Sequence, residues 1–195
     1  HNIHTPGDEP DVLVAMNPAG LKANVKDVRP NGTIIVNSEA FIERNLHRAG
    51  YEKNPLEDGS LDGYRIISAP METLTKEAVK DSGVTGREVL RSKNFFALGL
   101  MAWLFNRPME TTTEWLQAKF AKRPEVFNAN LAALKAGWNF GLTTEAARTT
   151  YYVKPAKLEP GTYTNVTGNT AMAWGCIAAG HAAHLPIFYG TYPIT

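Results

Sequence analysis

The chain has 195 residues, 44% apolar and 20% charged, which predicts a globular protein of one or two domains and excludes a disordered tail, a fibre and a coiled coil. Lysine and arginine number 20 against 19 acidic residues, so the net charge of +1 gives no electrostatic reason to expect nucleic acid or an anionic membrane as a partner. The single cysteine, Cys176, excludes an internal disulfide and an iron–sulfur cluster held by this chain alone.

The sequence predicts a cytoplasmic location. One cysteine fits a reducing compartment. The longest apolar run, residues 95–105, is well short of the roughly 20 residues that a membrane-spanning helix needs, and it contains a glycine. The first residues show no basic region followed by an apolar one, so no signal peptide is expected.

Short apolar runs alternate with helical segments in the first seventy residues. The helix between the first two runs begins at Pro18, and Ser38 is the predicted N-cap of a second helix that stops at Gly50. Strands that alternate with helices predict an α/β fold, a Rossmann-like parallel sheet with flanking helices. The predicted strands are residues 11–16, 33–36 and 64–67.

Four more helices are predicted after residue 71, over 73–81, 86–105, 111–122 and 124–140. Their large side chains are interpreted as core rather than as a cofactor-stacking surface. The residues in this group are Trp115, Phe120, Phe127, Leu131, Leu134 and Trp138.

Composition divides the chain. Residues 1–142 form the first predicted domain, and residues 143–164, rich in Thr, Pro, Tyr, Lys and Gly, form an extended connector. Residues 165–195 begin a second domain with a helix over 170–184 and a strand over 187–189. One helix and one strand bury too little surface to stand alone, so we expect a piece of a longer polypeptide or of an assembly.

Two asparagines follow predicted strands. Asn17 stands at the carboxyl end of the first strand, where open parallel sheets bind ligands, and the helix N-terminus behind it is a candidate for an anion. The alternative is a turn residue that satisfies its own backbone. Asn37 has the same position on the second strand, with less weight. No glycine-rich fingerprint or Walker sequence follows either strand, which disfavours a self-sufficient dinucleotide site.

No metal site is predicted. The acidic residues near Asp58 and Asp62 are interpreted as tight turns, and His181 and His184 as structural residues near a helix end. Cys176 is interpreted as a packing residue within an Ala- and Gly-rich helix.

The last four residues are candidates for ligand binding, because they follow the predicted strand at the edge of the sheet where ligands bind. Thr195 offers a hydroxyl to a carboxylate, Ile194 an apolar wall and Pro193 a stiff loop, with Tyr192 beside them.

Several longer segments of the sequence resemble those of a known family. GNTAMAWG (168–175) and YPIT (192–195) resemble the opening of the pyrimidine-binding domain of the thiamine-diphosphate-dependent 2-oxoacid:ferredoxin oxidoreductases. DVLVAMNPAGLKANVKDVRPNGTIIVN (11–37), KNFFALGLMAWL (93–104) and PEVFNANLAALKAGWNFG (124–141) resemble the gamma domain, in the subunit where gamma and alpha domains are fused in that order. Within the family the resemblance is to the alpha subunit of the 2-oxoglutarate (2-oxoacid) branch. It implies a gamma domain followed by the first helix and strand of a pyrimidine-binding α/β domain.

The resemblance also implies an activity. A 2-oxoacid, with 2-oxoglutarate favoured, reacts with coenzyme A to give acyl-CoA (succinyl-CoA), carbon dioxide and reduced ferredoxin. The implied cofactors are thiamine diphosphate, Mg²⁺ and an iron–sulfur cluster, bound in the full complex mainly by residues outside this chain. The implied partners are the beta subunit, ferredoxin, coenzyme A and the 2-oxoacid.

Residue roles carry over in part. Thr195 matches the family threonine at the substrate carboxylate, with Tyr192, Pro193 and Ile194 as pocket wall, and Asn17 lies on the coenzyme A side of the gamma domain. The family's activating glutamate and substrate-binding arginine have no counterpart here, so these residues by themselves are expected to be catalytically silent. The alternative from another class is a non-catalytic α/β binding or assembly module.

Overall fold

A computed structural model describes residues 9–144, 146, 150–154 and 157–190 of the chain. The strands in these residues are β1 (Val12–Ala15), β2 (Thr33–Asn37) and β3 (Arg65–Ala69). The helices are α1 (Pro18–Asn24), α2 (Glu43–Arg48), α3 (Met71–Val79), α4 (Arg87–Leu104), α5 (Glu110–Lys119), α6 (Pro124–Thr144) and α7 (Gly168–Ala182). Short 3-10 turns over residues 25–27 and 38–40 follow α1 and β2.

The three strands form one parallel sheet in the spatial order β1-β2-β3. Thr33 at the start of β2 lies opposite Val12 of β1 and Arg65 of β3. Parallel neighbours need crossover connections, and α1 and α2 lie in the two crossovers. The predicted fold class, an α/β parallel sheet with flanking helices, is confirmed.

Helices cover both faces of the sheet, and alternate residues of β2 show which helices lie on which face. Every residue of β2 is buried. Ile34 belongs to a core cluster with Leu21 of α1 and Leu46 of α2. Ile35 points to the other face, into the cluster that contains Phe96 of α4. The apolar run without polar alternation in β2 therefore follows from burial on two sides.

Helices α4 and α6 cross with their backbones in close contact. A Cβ built on Gly99 would overlap the backbone carbonyl of Leu134, and one built on Gly137 would overlap the backbone of α4. Near the crossing, the buried hydroxyl of Ser92 lies 2.9 Å from the amide oxygen of Asn130 and donates to it. The pair of glycines thus allows an approach that no larger residue permits.

The predicted aromatic core is confirmed in part. Leu134 is buried, and Trp138 packs against the main core cluster. Phe120, Phe127 and Leu131 are half-buried. The prediction is wrong for Trp115, which is 49% exposed and has the Lys119 ammonium 4.5 Å from its ring centre. On α5 the buried position is the next residue, Leu116, one step around the helix.

Two predicted helix boundaries differ from the structure. The predicted N-cap at Ser38 is wrong: its side chain caps no helix, residues 38–40 form a 3-10 turn, and α2 begins at Glu43. Gly50 does end the segment, with φ +74 in the left-handed region that glycine adopts without strain. Helix α6 continues to Thr144, two residues into the predicted connector.

The chain divides into two compact units, residues 1–155 and residues 156–195. In the second unit, α7 begins after Thr167, whose hydroxyl oxygen accepts a hydrogen bond from the Thr170 N–H at 3.2 Å. The predicted strand over 187–189 is wrong, because no described strand lies beside it to supply the hydrogen bonds of a ladder. Cys176 is exposed and α7 buries no residue, so the interpretation of Cys176 as a packing residue is also wrong. The predicted limits of the domains stay a prediction.

Across the part of the chain that the structure describes, no helix is both long and apolar enough to cross a membrane.

Candidate functional site

A cavity of about 540 Å³ opens at the carboxyl edge of the sheet. Its lining comes from the segment after β1 and from α2, α3 and α4, which converge there although they are distant in sequence. This edge is where open parallel sheets bind their ligands. The polar side chains in the lining are Asn17, Asn45, Arg48, Glu72, Lys93 and Asn94.

The charges in the cavity are two cations and one carboxylate. Lys93 of α4 lies 2.9 Å from Glu72 of α3, and their side chains are 19% and 31% exposed. Arg48 forms no ion pair with any residue that the structure describes. Because one cation is balanced and the other is not, the cavity suits an anionic ligand that approaches Arg48 and competes with Glu72 for Lys93.

Asn17 lines this cavity and also caps α1. Its amide oxygen accepts a hydrogen bond from the backbone N–H of Gly20 at 2.8 Å, and Pro18 occupies the first turn. Asn17 therefore satisfies backbone at the start of α1, as the turn interpretation predicted, and its place on the coenzyme A side stays a prediction. Helix α1 has only seven residues, and such a short helix is a weak source of positive potential at its N-terminus. The charges in the cavity come instead from side chains.

Asn37 is a structural residue. It is fully buried, is absent from the cavity lining, and accepts a hydrogen bond from the backbone N–H of Met71 at 3.3 Å. This bond holds the start of α3 against the end of β2. The amide nitrogen of Asn37 has no partner among the described residues.

Glu39 fixes α3 beside the cavity. Its carboxylate accepts hydrogen bonds from the backbone N–H groups of Glu72 at 2.7 Å and Thr73 at 2.9 Å, and from the Thr73 hydroxyl. Burial opposes ionisation, but these hydrogen bonds and the charge of Lys76 outweigh it and lower the pKa of Glu39. Pro70, which precedes α3, makes no side-chain cap, so Glu39 supplies the cap from a distant part of the chain.

The acidic loop is a turn, as predicted. Asp58 accepts a hydrogen bond from the Ser60 N–H at 2.9 Å, and Gly59 adopts φ +81. Hydrogen bonds from the Ser60 side chain and backbone lower the pKa of the Asp58 carboxyl. Within the described ranges, no three His, Cys, Asp or Glu residues come together as a metal site, and His181 and His184 are both exposed.

Residues 191–195, which include the predicted pocket residues Tyr192, Pro193, Ile194 and Thr195, lie outside the described residues. Their assignment therefore stays a prediction.

No feature of the sequence alone indicates Arg48, Glu72 or Lys93 as site residues. Each lies on a helix among other charged residues, and no motif or spacing distinguishes it. The available signal was positional: Glu72 opens the helix that follows the third strand, close to the carboxyl edge. Arg48 and Lys93 become recognisable only when the helices are packed.

Comparisons with known proteins place the chain in a family. The sequence profile of the pyruvate ferredoxin/flavodoxin oxidoreductases matches residues 1–140. The chain belongs to this family, as the resemblance of its sequence segments predicted.

Two relatives are more specific. Over 195 residues the chain is 51% identical to 2-oxoglutarate oxidoreductase subunit KorA of Mycobacterium tuberculosis, and it spans 30% of that protein's length. A solved structure of 2-oxoglutarate:ferredoxin oxidoreductase from Magnetococcus marinus, with 2-oxoglutarate, coenzyme A and succinyl-CoA bound, matches 80% of this chain and 24% of that one. The TM-score is 0.58 and the identity is 25%. The chain thus spans less than a third of the length of both relatives.

Proposed function

We propose that this chain is part of a thiamine-diphosphate-dependent 2-oxoacid oxidoreductase whose substrate is 2-oxoglutarate. The observation that carries the proposal is the 51% identity, over the whole chain, to a 2-oxoglutarate oxidoreductase subunit. The family match and the likeness to a solved 2-oxoglutarate:ferredoxin oxidoreductase support it. The proposed partners are a beta subunit and ferredoxin, and the proposed location is the cytoplasm.

The proposed reaction breaks the bond between the carboxylate and the keto carbon of the 2-oxoacid and forms a thioester to coenzyme A. Carbon dioxide leaves, the thiol of coenzyme A loses its proton, and the two electrons released by the oxidation pass one at a time to ferredoxin. Thiamine diphosphate, when bound, supplies the electron sink for decarboxylation. The side chains of the described residues do not fit Mg²⁺ or an iron–sulfur cluster: the single thiol, Cys176, is on an exposed helix, and no acidic or histidine cluster accompanies it.

The contribution of the first unit is coenzyme A binding at the cavity. Coenzyme A is polyanionic, and Arg48 and Lys93 are the cations that converge there. Lys93 is held by Glu72 at 2.9 Å, which keeps its ammonium at the cavity wall in the absence of ligand. Asn17 and Asn94 add amide groups to the same wall. The proposal assigns the phosphates to the two cations and gives Asn17 a supporting place on the coenzyme A side.

The proposed role of residues 192–195 is to bind the oxoacid. The Thr195 hydroxyl is proposed to donate to the substrate carboxylate, while Tyr192, Pro193 and Ile194 shape the pocket wall. This assignment rests on the match of the YPIT sequence to the family pattern.

The activity is tested with the full-length protein purified together with its beta subunit. Coenzyme A-dependent reduction of ferredoxin is measured with 2-oxoglutarate and with pyruvate as alternative substrates. We expect a higher kcat/KM for 2-oxoglutarate. No reduction with either acid would favour the non-catalytic binding or assembly module, and a preference for pyruvate would contradict the choice of substrate.

The cavity is tested in the same assay by Lys93→Met. Loss of one charge-assisted contact to phosphate weakens binding by roughly 1.5–3 kcal/mol, which is about a 10- to 150-fold rise in the KM for coenzyme A. Lys80→Met is the matched control, since Lys80 also pairs with a glutamate, Glu77, but is exposed outside the cavity. Equal KM values in the two variants would exclude the cavity as the coenzyme A site.

A further inference from the structure

The beginning of the connector returns to the first unit after α6. The backbone N–H of Tyr151 donates to the carbonyl of Leu104, the last residue of α4, at 2.7 Å. The ring of Tyr151 stacks on Phe105, with centroids 4.9 Å apart and 20° between the planes. Its hydroxyl lies 3.3 Å from the Thr33 hydroxyl on β2. Tyr151 is therefore packed against both the end of α4 and the sheet.

One amide group holds this segment in place. The side-chain nitrogen of Asn106 donates to the carbonyl of Tyr151 at 3.0 Å and to the Thr150 hydroxyl at 2.9 Å. Asn106 has φ +49, in the left-handed region where asparagine is among the few tolerated residues besides glycine. The left-handed backbone turns the chain at the end of α4, and the amide bonds then reach the connector.

The end of α4 does not need the Asn106 side chain as a cap. The backbone N–H groups of Phe105, Asn106 and Arg107 donate to the carbonyls of Met101, Trp103 and Ala102 respectively, at 3.0, 3.1 and 2.8 Å. The last turn is thus closed by backbone bonds, and the side-chain amide serves the connector alone. The residue after Tyr151, Tyr152, is 71% exposed, and Tyr163, further along the connector, is 61% exposed.

We propose that Asn106 and Tyr151 form a latch that fastens the start of the connector to the end of α4. With the latch closed, the chain is held on the first unit at least as far as Tyr151, so a shorter stretch of connector leads to α7 than if it left the unit at the end of α6. A shorter free connector raises the effective concentration at which linked units and their partners meet. The latch lies within the first unit, and it does not depend on the proposed reaction.

The latch is tested by chymotrypsin cleavage of the 195-residue chain, with products followed by mass spectrometry. Tyr152 is exposed, but cleavage after it requires the latch to open, because a protease also binds the residues before the cut bond, and Thr150 and Tyr151 are held by Asn106. Cleavage after the exposed Tyr163 is the internal reference. In Asn106→Asp the side chain keeps its shape but loses its donor, and we expect roughly tenfold faster cleavage after Tyr152 relative to Tyr163. Asn106→Gly, which keeps the left-handed turn, should behave in the same way.

The matched control is Asn24→Asp, because the Asn24 amide also donates to a backbone carbonyl, that of Gly20, at 2.8 Å on another helix. It should leave the cleavage ratio unchanged. An unchanged ratio in both Asn106 variants overturns the latch. An increase in Asn106→Asp without one in Asn106→Gly also overturns it, since the added charge would then be the cause. Equal acceleration at both tyrosines indicates general loosening and counts against it as well.

Discussion

The crossing of α4 and α6 is sensitive to the smallest possible enlargement, Gly99→Ala. The added methyl group would overlap the backbone carbonyl of Leu134 and lie 3.0 Å from the backbone nitrogen of Trp138. Backbone atoms cannot move aside as a side chain does, so the helices must separate around Phe96 and Leu100, which are fully buried.

The net effect combines two terms. Overpacking of a well-packed core costs typically ~1–3 kcal/mol, and a backbone clash lies at the upper end of that range or above it. Alanine regains up to ~1 kcal/mol of helix propensity over glycine. We therefore expect a net loss of roughly 2 kcal/mol, which lowers Tm by about 4–8 °C for a unit of this size.

The assay is thermal unfolding followed by circular dichroism, with Gly20→Ala as the matched control. Gly20 is also in a helix of the first unit, but its Cβ would meet only the Asn17 amide oxygen, at an ordinary 3.5 Å. The same substitution there should leave Tm unchanged or raise it. If Gly99→Ala were as stable as the wild type, the close helix crossing would be wrong.

Three further outcomes are expected. Glu72→Gln should leave Lys93 without its ion-pair partner and lower the KM for coenzyme A, opposite in sign to Lys93→Met; a rise in KM would contradict competition between Glu72 and the ligand. Glu39→Gln should destabilise the first unit by ~1 kcal/mol at neutral pH, because an amide oxygen accepts the two N–H bonds at the start of α3 more weakly than the charged carboxylate does. Because the folded-state pKa of Glu39 is lowered from 4.5, the stabilisation is present above 4.5 and is lost as pH falls through the lowered value, so unfolding curves of variant and wild type should converge in acid and not at pH 7. In the complete enzyme, Thr195→Val should raise the KM for the oxoacid or lower kcat by the equivalent of roughly 1–3 kcal/mol, and unchanged kinetics would remove Thr195 from the site.

Local signals predicted the elements that local physics determines. The continuous apolar residues of β2 identified a strand buried on two faces, and Pro18 and Gly50 marked a helix start and a helix end. These features depend on a few neighbouring residues. The parallel sheet followed from their alternation, because short chain segments between parallel strands leave few other topologies.

Non-local contacts account for what the sequence did not predict. The cap of α3 comes from Glu39, more than thirty residues upstream, while the adjacent Ser38 had the residue type of a cap and none of its bonds. Tyr151, assigned by composition to an extended connector, packs on Phe105. In each case the partner is chosen by packing, and residue type alone does not indicate it.

The difference between local and non-local contacts also explains why the sequence predicted only part of the site. Asn17 follows a strand, and the strand end is readable because it is local. The charged side chains of the cavity come from α2, α3 and α4, and one of these helices, α3, is held in place by Glu39 from a distant part of the chain. Gly99, the glycine that counted against a membrane span in the sequence, is in the fold the point where α4 meets the backbone of α6, a contact that no local pattern of residues indicates.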